Sequence, residues 1–101
     1  MAEFQVGQSV LIPCDVQPGP FPTEKLVTIR TDAGETSGFV RLDFLIEQPP
    51  GTWQVLGQVQ AVEHDRIAVR LPGHFFTTAS GMTSVSSAWA RQYLHEAPAH
   101  P

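Results

Sequence analysis

Alternating apolar and polar residues predict several short β-strands along this chain. In the segment SVLIPCDV, the residues Val10, Ile12 and Cys14 take every second position, which places them on one face of a half-buried strand. Pro13 falls on the opposite face. Because proline lacks the N–H group that a sheet ladder uses, this strand is predicted to lie at a sheet edge. Prolines and a glycine at residues 17–23 then predict a loop.

Two β-hairpins are predicted in the middle of the chain. Residues 24–40 are rich in β-branched residues on either side of the turn segment DAGE, whose Gly34 suits a left-handed backbone position. Residues 52–62 and 66–71 form the clearer hairpin, because apolar and polar residues alternate regularly in its second strand. The residues predicted to face the core from that strand are Ile67, Val69 and Leu71.

The segments that follow each hairpin predict short helical turns. Residues 41–51 can form at most one such turn before Pro49 and Pro50 stop it. Residues 82–90 are predicted to form a strand, and residues 91–96 a single helical turn. The strand would place Val85, Ser87 and Trp89 on one face.

The two halves of the chain resemble each other in three places. FQVGQSV matches WQVLGQV, QPGPFPT matches LPGHFFT, and SGFVR matches SAWAR, with sequence offsets of 50 to 54 residues. One interpretation is an internal duplication with halves 4–46 and 53–95, each too small to bury its own apolar face. The other is that similar hairpins reuse the same turn residues. Both interpretations stay open, and both predict the same architecture.

That architecture is all-β, a compact antiparallel barrel or small sandwich of six to eight short strands with one or two single helical turns. One domain is expected over residues 1–96, with a flexible tail at 97–101. The segments FQVGQSVLI, AWARQYL and GFVRLDFL resemble the SH3-like barrel superfold, and this resemblance covers nearly the whole chain. The acidic, tyrosine-bearing loop that grips proline-rich peptides is missing, as only Tyr93 is present. The resemblance therefore implies a fold and no function.

Composition narrows the classes of partner. The 101 residues carry a formal net charge of −4, and the acidic surplus lies in residues 1–50. Because phosphate neutralisation by basic side chains supplies most nucleic-acid affinity, binding to nucleic acid is not expected. We predict a soluble cytoplasmic protein without membrane contact. The chain has a single cysteine, no signal-peptide pattern and no long apolar run.

No motif for catalysis or metal binding stands out. No two of the four histidines have the helical i, i+4 spacing of a zinc site, and one cysteine cannot form a thiolate cluster. Cys14 alternates with apolar residues, so it is predicted to point into the core as a small hydrophobic side chain. No catalytic residue, metal site or cofactor is therefore predicted.

The candidate binding residues are aromatic side chains near loops, together with nearby polar anchors. Because adjacent residues of an extended strand point to opposite faces, Phe75 and Phe76 cannot both face the core. The first hypothesis is a non-catalytic binding or assembly module that engages a protein partner or a second copy. The alternative is a small-molecule binding protein or minor enzyme with a pocket at the barrel mouth or a dimer seam. The predicted binding residues are Phe21, Arg70, His74, Phe75, Phe76, Trp89 and Arg91.

Overall fold

The computed structural model describes residues 4–49, 51–75 and 81–97. Within them, antiparallel strands dominate, which confirms the predicted all-β fold. Seven of the nine strands described have four residues or more, and β7 and β9 have two each. The strands are β1 (Ser9–Pro18), β2 (Glu24–Thr31), β3 (Gly34–Arg41), β4 (Leu45–Gln48), β5 (Thr52–Val62), β6 (Arg66–Arg70), β7 (His74–Phe75), β8 (Met82–Ser86) and β9 (His95–Glu96), accompanied by a 3-10 turn (Leu42–Phe44) and one helix, α1 (Ser87–Tyr93).

These strands form one curled sheet with the shape of a half-barrel. Its order is β7-β3-β2-β1-β5-β6-β8, and β4 and β9 add to β5 and β1 outside this path. Both predicted hairpins are present as β2–β3 and β5–β6. The radius of gyration is 13.0 Å, the value expected of a compact chain of about 100 residues.

The core fills the concave side of the curled sheet. As predicted from alternation, Ile67, Val69 and Leu71 are buried, whereas Arg66 and Arg70 of the same strand are exposed. Burial of aliphatic side chains from several strands stabilises the curl, since each apolar side chain removed from water contributes about 1.5–3 kcal/mol. The buried cluster consists of Val10, Ile12, Val27, Ile29, Val40, Val55, Val59, Ile67, Val69, Leu71, Phe75, Val85, Ala90 and Leu94.

The prediction that β1 is an edge strand is wrong, because β1 lies between β5 and β2 in the sheet. Strand β5 pairs with residues 9–14 of β1. On the opposite side of β1, β9 pairs with residues 10–11 and β2 pairs with residues 15–18. Pro13 lies between the residues of β1 that pair with β9 and those that pair with β2. A proline is tolerated there because the strand has no ladder partner on that side at that point.

The predicted strand over residues 82–90 ends at Ser86, and its second half is helical. The Ser86 hydroxyl accepts a hydrogen bond from the Trp89 backbone N–H at 3.0 Å, as expected of a serine N-cap. Burial of Ala90 then holds the helix against the core. Ser87 and Trp89 alternate with Val85 in the sequence, but the helix buries Ala90, and Leu94 at the helix C-cap is buried as well.

The segment after β3 forms the single helical turn that was predicted, as the 3-10 turn Leu42–Phe44. It is followed by strand β4, which pairs with β5 and was not predicted. Strand β4 has four residues and no fully buried side chain. Its sequence pattern is therefore too short and too weakly apolar to predict a strand, and pairing with β5 decides its conformation.

The internal sequence similarity does not extend to matching secondary structure. SGFVR lies in strand β3, whereas its counterpart SAWAR lies in helix α1. The Gly-Gln pair at residues 7–8 precedes β1, whereas the pair at residues 57–58 lies inside β5. Duplication of the two halves stays a prediction, and the similar segments serve different structural purposes in each half.

The tip of the β2–β3 hairpin is attached to the start of helix α1. Both carboxylate oxygens of Asp32 lie within 3.3 Å of the Ser86 backbone nitrogen, which donates to them. Hydrogen bonding from the Ser86 side chain is the largest cause of a lowered pKa for Asp32, and the Ser86 backbone N–H and the charge of Arg66 lower it further. Asp32 therefore links the β2–β3 turn to the junction of α1 with β8, an end strand of the sheet.

We expect the Asp32 carboxylate to make stability depend on pH. Because its pKa is lower in the folded chain, its contribution is complete above the unfolded-state pKa of about 3.9 and is lost as the pH falls through the folded-state value. Asp32→Asn should therefore lower the melting temperature at pH 7, and the difference from wild type should shrink towards pH 2. Melting curves of both proteins between pH 7 and pH 2 measure this difference. Asp65→Asn in the β5–β6 turn is the charge-matched control. A constant difference at every pH would contradict it.

Candidate functional site

Both tryptophans and the single tyrosine of the chain line one open cleft. The cleft has a volume of about 430 Å³ and lies between strands β1, β2 and β5 and helix α1. Its size is within the range of small-ligand and peptide pockets. The lining residues are Pro13, Cys14, Asp15, Thr28, Arg30, Thr52, Trp53, Trp89 and Tyr93.

The cleft opens because β1 and β2 separate. Their pairing ends at Asp15 and Thr28. From Ser9 to Cys14, β1 pairs with β5, and Cys14 lies opposite Trp53. Residues 29–31 of β2 continue alongside β3 without β1. The space between the two diverging strands is the floor of the cleft.

Helix α1 supplies two of the three aromatic rings. Trp89 and Tyr93 are four residues apart and therefore lie on the same face of the helix. Their ring centroids are 5.1 Å apart with planes tilted by 38°, within the distance range of favourable aromatic pairs. Trp89 also packs against the core, whereas Tyr93 is 40% exposed. One ring is thus fixed by the fold and the other is available to a ligand.

Charged side chains border the cleft on the β2 side. Arg30 donates from Nε to a carboxylate oxygen of Glu35 at 2.8 Å and from Nη1 to Asp15. Hydrogen bonds to Asp15 first, and then to Glu35, raise the pKa of Arg30 above its usual range. These side chains are well exposed, so their attraction contributes little to stability. Its consequence is a guanidinium directed towards two carboxylates at the border of the cleft.

Cys14 lies at the cleft wall and has the properties of an unreactive thiol. Desolvation, with the charge of Asp15 as a lesser cause, raises its pKa to about 12. The reactive thiolate is therefore scarcely populated near pH 7. The predicted inward orientation agrees with its packing against the core.

Among the predicted binding residues whose side chains the structure describes, only Trp89 lines this cleft. Phe75 is 4% exposed and belongs to the core, so its prediction as a binding side chain requires correction. Strand β7 places Phe75 opposite Gly38 of β3, and its ring belongs to the core cluster. Phe76 lies outside the described residues. His74 lies in β7, opposite Phe39 of β3.

The other predicted residues are on separate parts of the surface. Phe21 is 63% exposed in the β1–β2 loop. Arg91 is exposed in the last turn of α1. Arg70 borders a smaller concavity of about 250 Å³ that also includes Phe44 and is lined further by Ser9, Leu56, Gly57, Gln58, Leu71 and Pro72. Among the described side chains of the predicted set, Trp89 and Arg70 therefore lie in different concavities.

The sequence interpretation missed most of the cleft, including Trp53, Asp15 and Arg30. Two signals were available. Tryptophan and tyrosine are scarce in this chain, and Trp89 and Tyr93 have the i, i+4 spacing of one helix face. That spacing was hidden because residues 82–90 were interpreted as a strand. The approach of Trp53 to helix α1 depends on sheet curl, which no local pattern encodes.

In the part of the chain that the structure describes, no group of three or more histidine, cysteine, aspartate or glutamate side chains could hold a metal ion. No helix within the described ranges is long and apolar enough to cross a membrane. Comparison with protein-family models, with curated proteins and with solved structures finds no match for this chain.

Proposed function

We propose that this chain is a non-catalytic binding module that engages a protein partner through the cleft between β1, β2, β5 and α1. The observation that carries this proposal is the presence of Trp53, Trp89 and Tyr93, all the tryptophan and tyrosine of the chain, in one open cleft. Packing of the core alone does not require that the two tryptophans and the tyrosine of this chain lie together in one cleft.

The composition of the cleft supports a protein partner. Tryptophan, tyrosine and arginine are the residues most enriched among those that dominate protein–protein binding energy. Here Arg30 lines the same cleft as the aromatic rings and is paired with Asp15 and Glu35.

The test uses peptides selected from a random phage-displayed library on the immobilised wild-type chain. We expect the selected peptides to change tryptophan fluorescence, because both tryptophans line the cleft. Tyr93→Ala should weaken binding by about tenfold or more, as expected for a ring at the centre of an interface. Tyr93 is partly exposed, so the variant should remain folded.

The matched control is Gln92→Ala, an exposed neighbour on the same helix that does not line the cleft. It should leave peptide affinity unchanged. Peptides that bind both variants equally would show that the cleft is not the binding surface. Light scattering of the free chain over a concentration series decides whether the partner is a second copy: a dimer that Tyr93→Ala dissociates would identify it as such.

A second candidate function is small-molecule binding at the Arg70 concavity, which is mostly lined by apolar side chains including Phe44 and Leu56. A concave, apolar surface with one charged group at its border is the usual form of a small-ligand pocket. A fragment screen by NMR tests this candidate. Fragments that shift signals around Arg70 and lose binding in Arg70→Ala would favour it over the protein-binding cleft.

A further inference from the structure

We propose that the partner segment binds in an extended conformation, as an added β-strand on the free edge of β2 at residues 29–31. This inference rests on the proposed function and specifies the chemistry of the partner. The occupant is a short extended peptide segment, neutral or basic, that offers its own main-chain N–H and C=O groups.

The first argument concerns the direction of the β2 backbone groups. The β2–β3 hairpin closes with Thr31 opposite Gly34 across a two-residue turn. In such a hairpin the closing pair exchanges both hydrogen bonds, and bonding alternates along the strand. Thr31 and Ile29 therefore bond to β3, whereas Arg30 directs its N–H and C=O away from β3, towards the cleft.

The second argument concerns β1, the neighbour that those groups would otherwise meet. Pairing between β1 and β2 stops at Asp15 opposite Thr28. Two residues further along β2, Arg30 has no β1 residue opposite it. Its main-chain donor and acceptor are thus left at an open strand edge, which is a template for another chain.

The third argument concerns Pro13, which faces the same gap. The Ala97 N–H donates to the Ser9 carbonyl at 3.0 Å, so Ser9 directs its backbone away from β5. Alternation along β1 gives Pro13 the same direction as Ser9. At the one point where β1 would offer an N–H to the gap, proline removes that donor and leaves its carbonyl.

The floor of the cleft therefore carries a donor and an acceptor from Arg30 and an acceptor from Pro13. An extended peptide satisfies such groups with its own backbone, which gives affinity, while its side chains contact the walls and give specificity. A proline at the bonding position would fail, since it has no N–H for the Arg30 carbonyl.

The cleft walls determine the side chains of the partner. On one wall, Trp89 and Tyr93 provide aromatic faces that accept aliphatic groups or cations. On the other, Arg30 is paired with Asp15, which also lines the cleft, and with Glu35, which lies outside the lining. The two carboxylates exceed the single charge of Arg30, and the whole chain carries a net charge of −4. Both walls favour a neutral or basic segment over an acidic one.

Amide hydrogen exchange of the free chain tests the open edge directly. The Arg30 amide should exchange at least about tenfold faster than those of Ile29 and Thr31, which bond to β3. If Arg30 is as slow as its neighbours, its amide is already paired, and the inference is wrong whatever the partner is.

The second test uses the peptides selected on the wild-type chain. Binding should slow exchange of the Arg30 amide by about tenfold or more. Every second N–H group of an extended peptide faces the same side. N-methylation of the residues whose N–H groups face β2 should abolish binding, whereas N-methylation of the residues between them should leave binding intact. If binding depends on Tyr93 but tolerates methylation at every position, the cleft binds a partner without strand addition. The proposed function then survives and this inference fails. If no peptide depends on Tyr93, both are wrong.

Discussion

Replacing Ile12 with alanine should lower the free energy of unfolding by about 2–5 kcal/mol, the usual cost of truncating a buried aliphatic side chain. Ile12 is 1% exposed, lies opposite Val55 in the β1–β5 pair and belongs to the central cluster. Its Cδ1 lies 3.0 Å from the position that a Cβ on Gly57 would occupy, so β5 closely approaches it. Truncation would leave a cavity in the core beside β1 and β5.

Chemical denaturation of wild type and Ile12→Ala measures this change. A loss of this size is a large part of the roughly 5–15 kcal/mol that holds a small domain folded, so the midpoint should move strongly. The control is Val62→Ala at the end of β5, where the side chain is 43% exposed and the expected change is within about 0.5 kcal/mol. Similar losses for both variants would contradict the assignment of Ile12 to the core.

Gly73→Ala should also destabilise the fold strongly, for two separate reasons. Gly73 has a φ of +77°, a left-handed conformation that costs a residue with a Cβ about 1–2 kcal/mol. A Cβ there would also lie 2.4 Å from the Phe39 carbonyl oxygen. Because that oxygen belongs to strand β3, relief needs a backbone shift, and overpacking of this kind typically costs about 1–3 kcal/mol more.

Gly81→Ala separates these two costs. Gly81 has nearly the same φ, +73°, but the nearest atom to its Cβ would be the Leu71 carbonyl oxygen at 3.8 Å. We therefore expect Gly81→Ala to show the conformational cost alone and Gly73→Ala to lose more by about 1–3 kcal/mol. Equal losses, measured by urea unfolding, would show that the β6–β7 loop does not press against β3 as the structure has it.

The local sequence pattern predicted the hairpins well. Alternation of apolar and polar residues placed Ile67 and Val69 inside and Arg66 and Arg70 outside, as observed. Each hairpin is formed by residues close in sequence, joined by turns whose composition is informative. The pattern failed at residues 87–90, where Ser87 and Trp89 fit a strand and the Ser86 cap and burial of Ala90 produce a helix.

The candidate site was predicted poorly, because its parts come from distant segments. Trp53 and Trp89 are 36 positions apart, and their common cleft depends on the curl that brings α1 beside β1 and β5. Phe75 and Trp89 were both selected as aromatic residues near loops. Only the tertiary structure separates them, since one ring fills the core and the other borders the cleft.

By itself, the sequence determined the all-β class, the two hairpins and the inward faces of their strands, since these depend on interactions between neighbouring residues. The tertiary structure decided which strands pair at long range, and therefore that β1 pairs with β5 up to Cys14 and with β2 from Asp15 onwards. Pro13 illustrates the difference. The sequence shows that it cannot donate to a ladder, but only the arrangement of β2, β5 and β9 around it places that missing donor at the floor of an aromatic cleft.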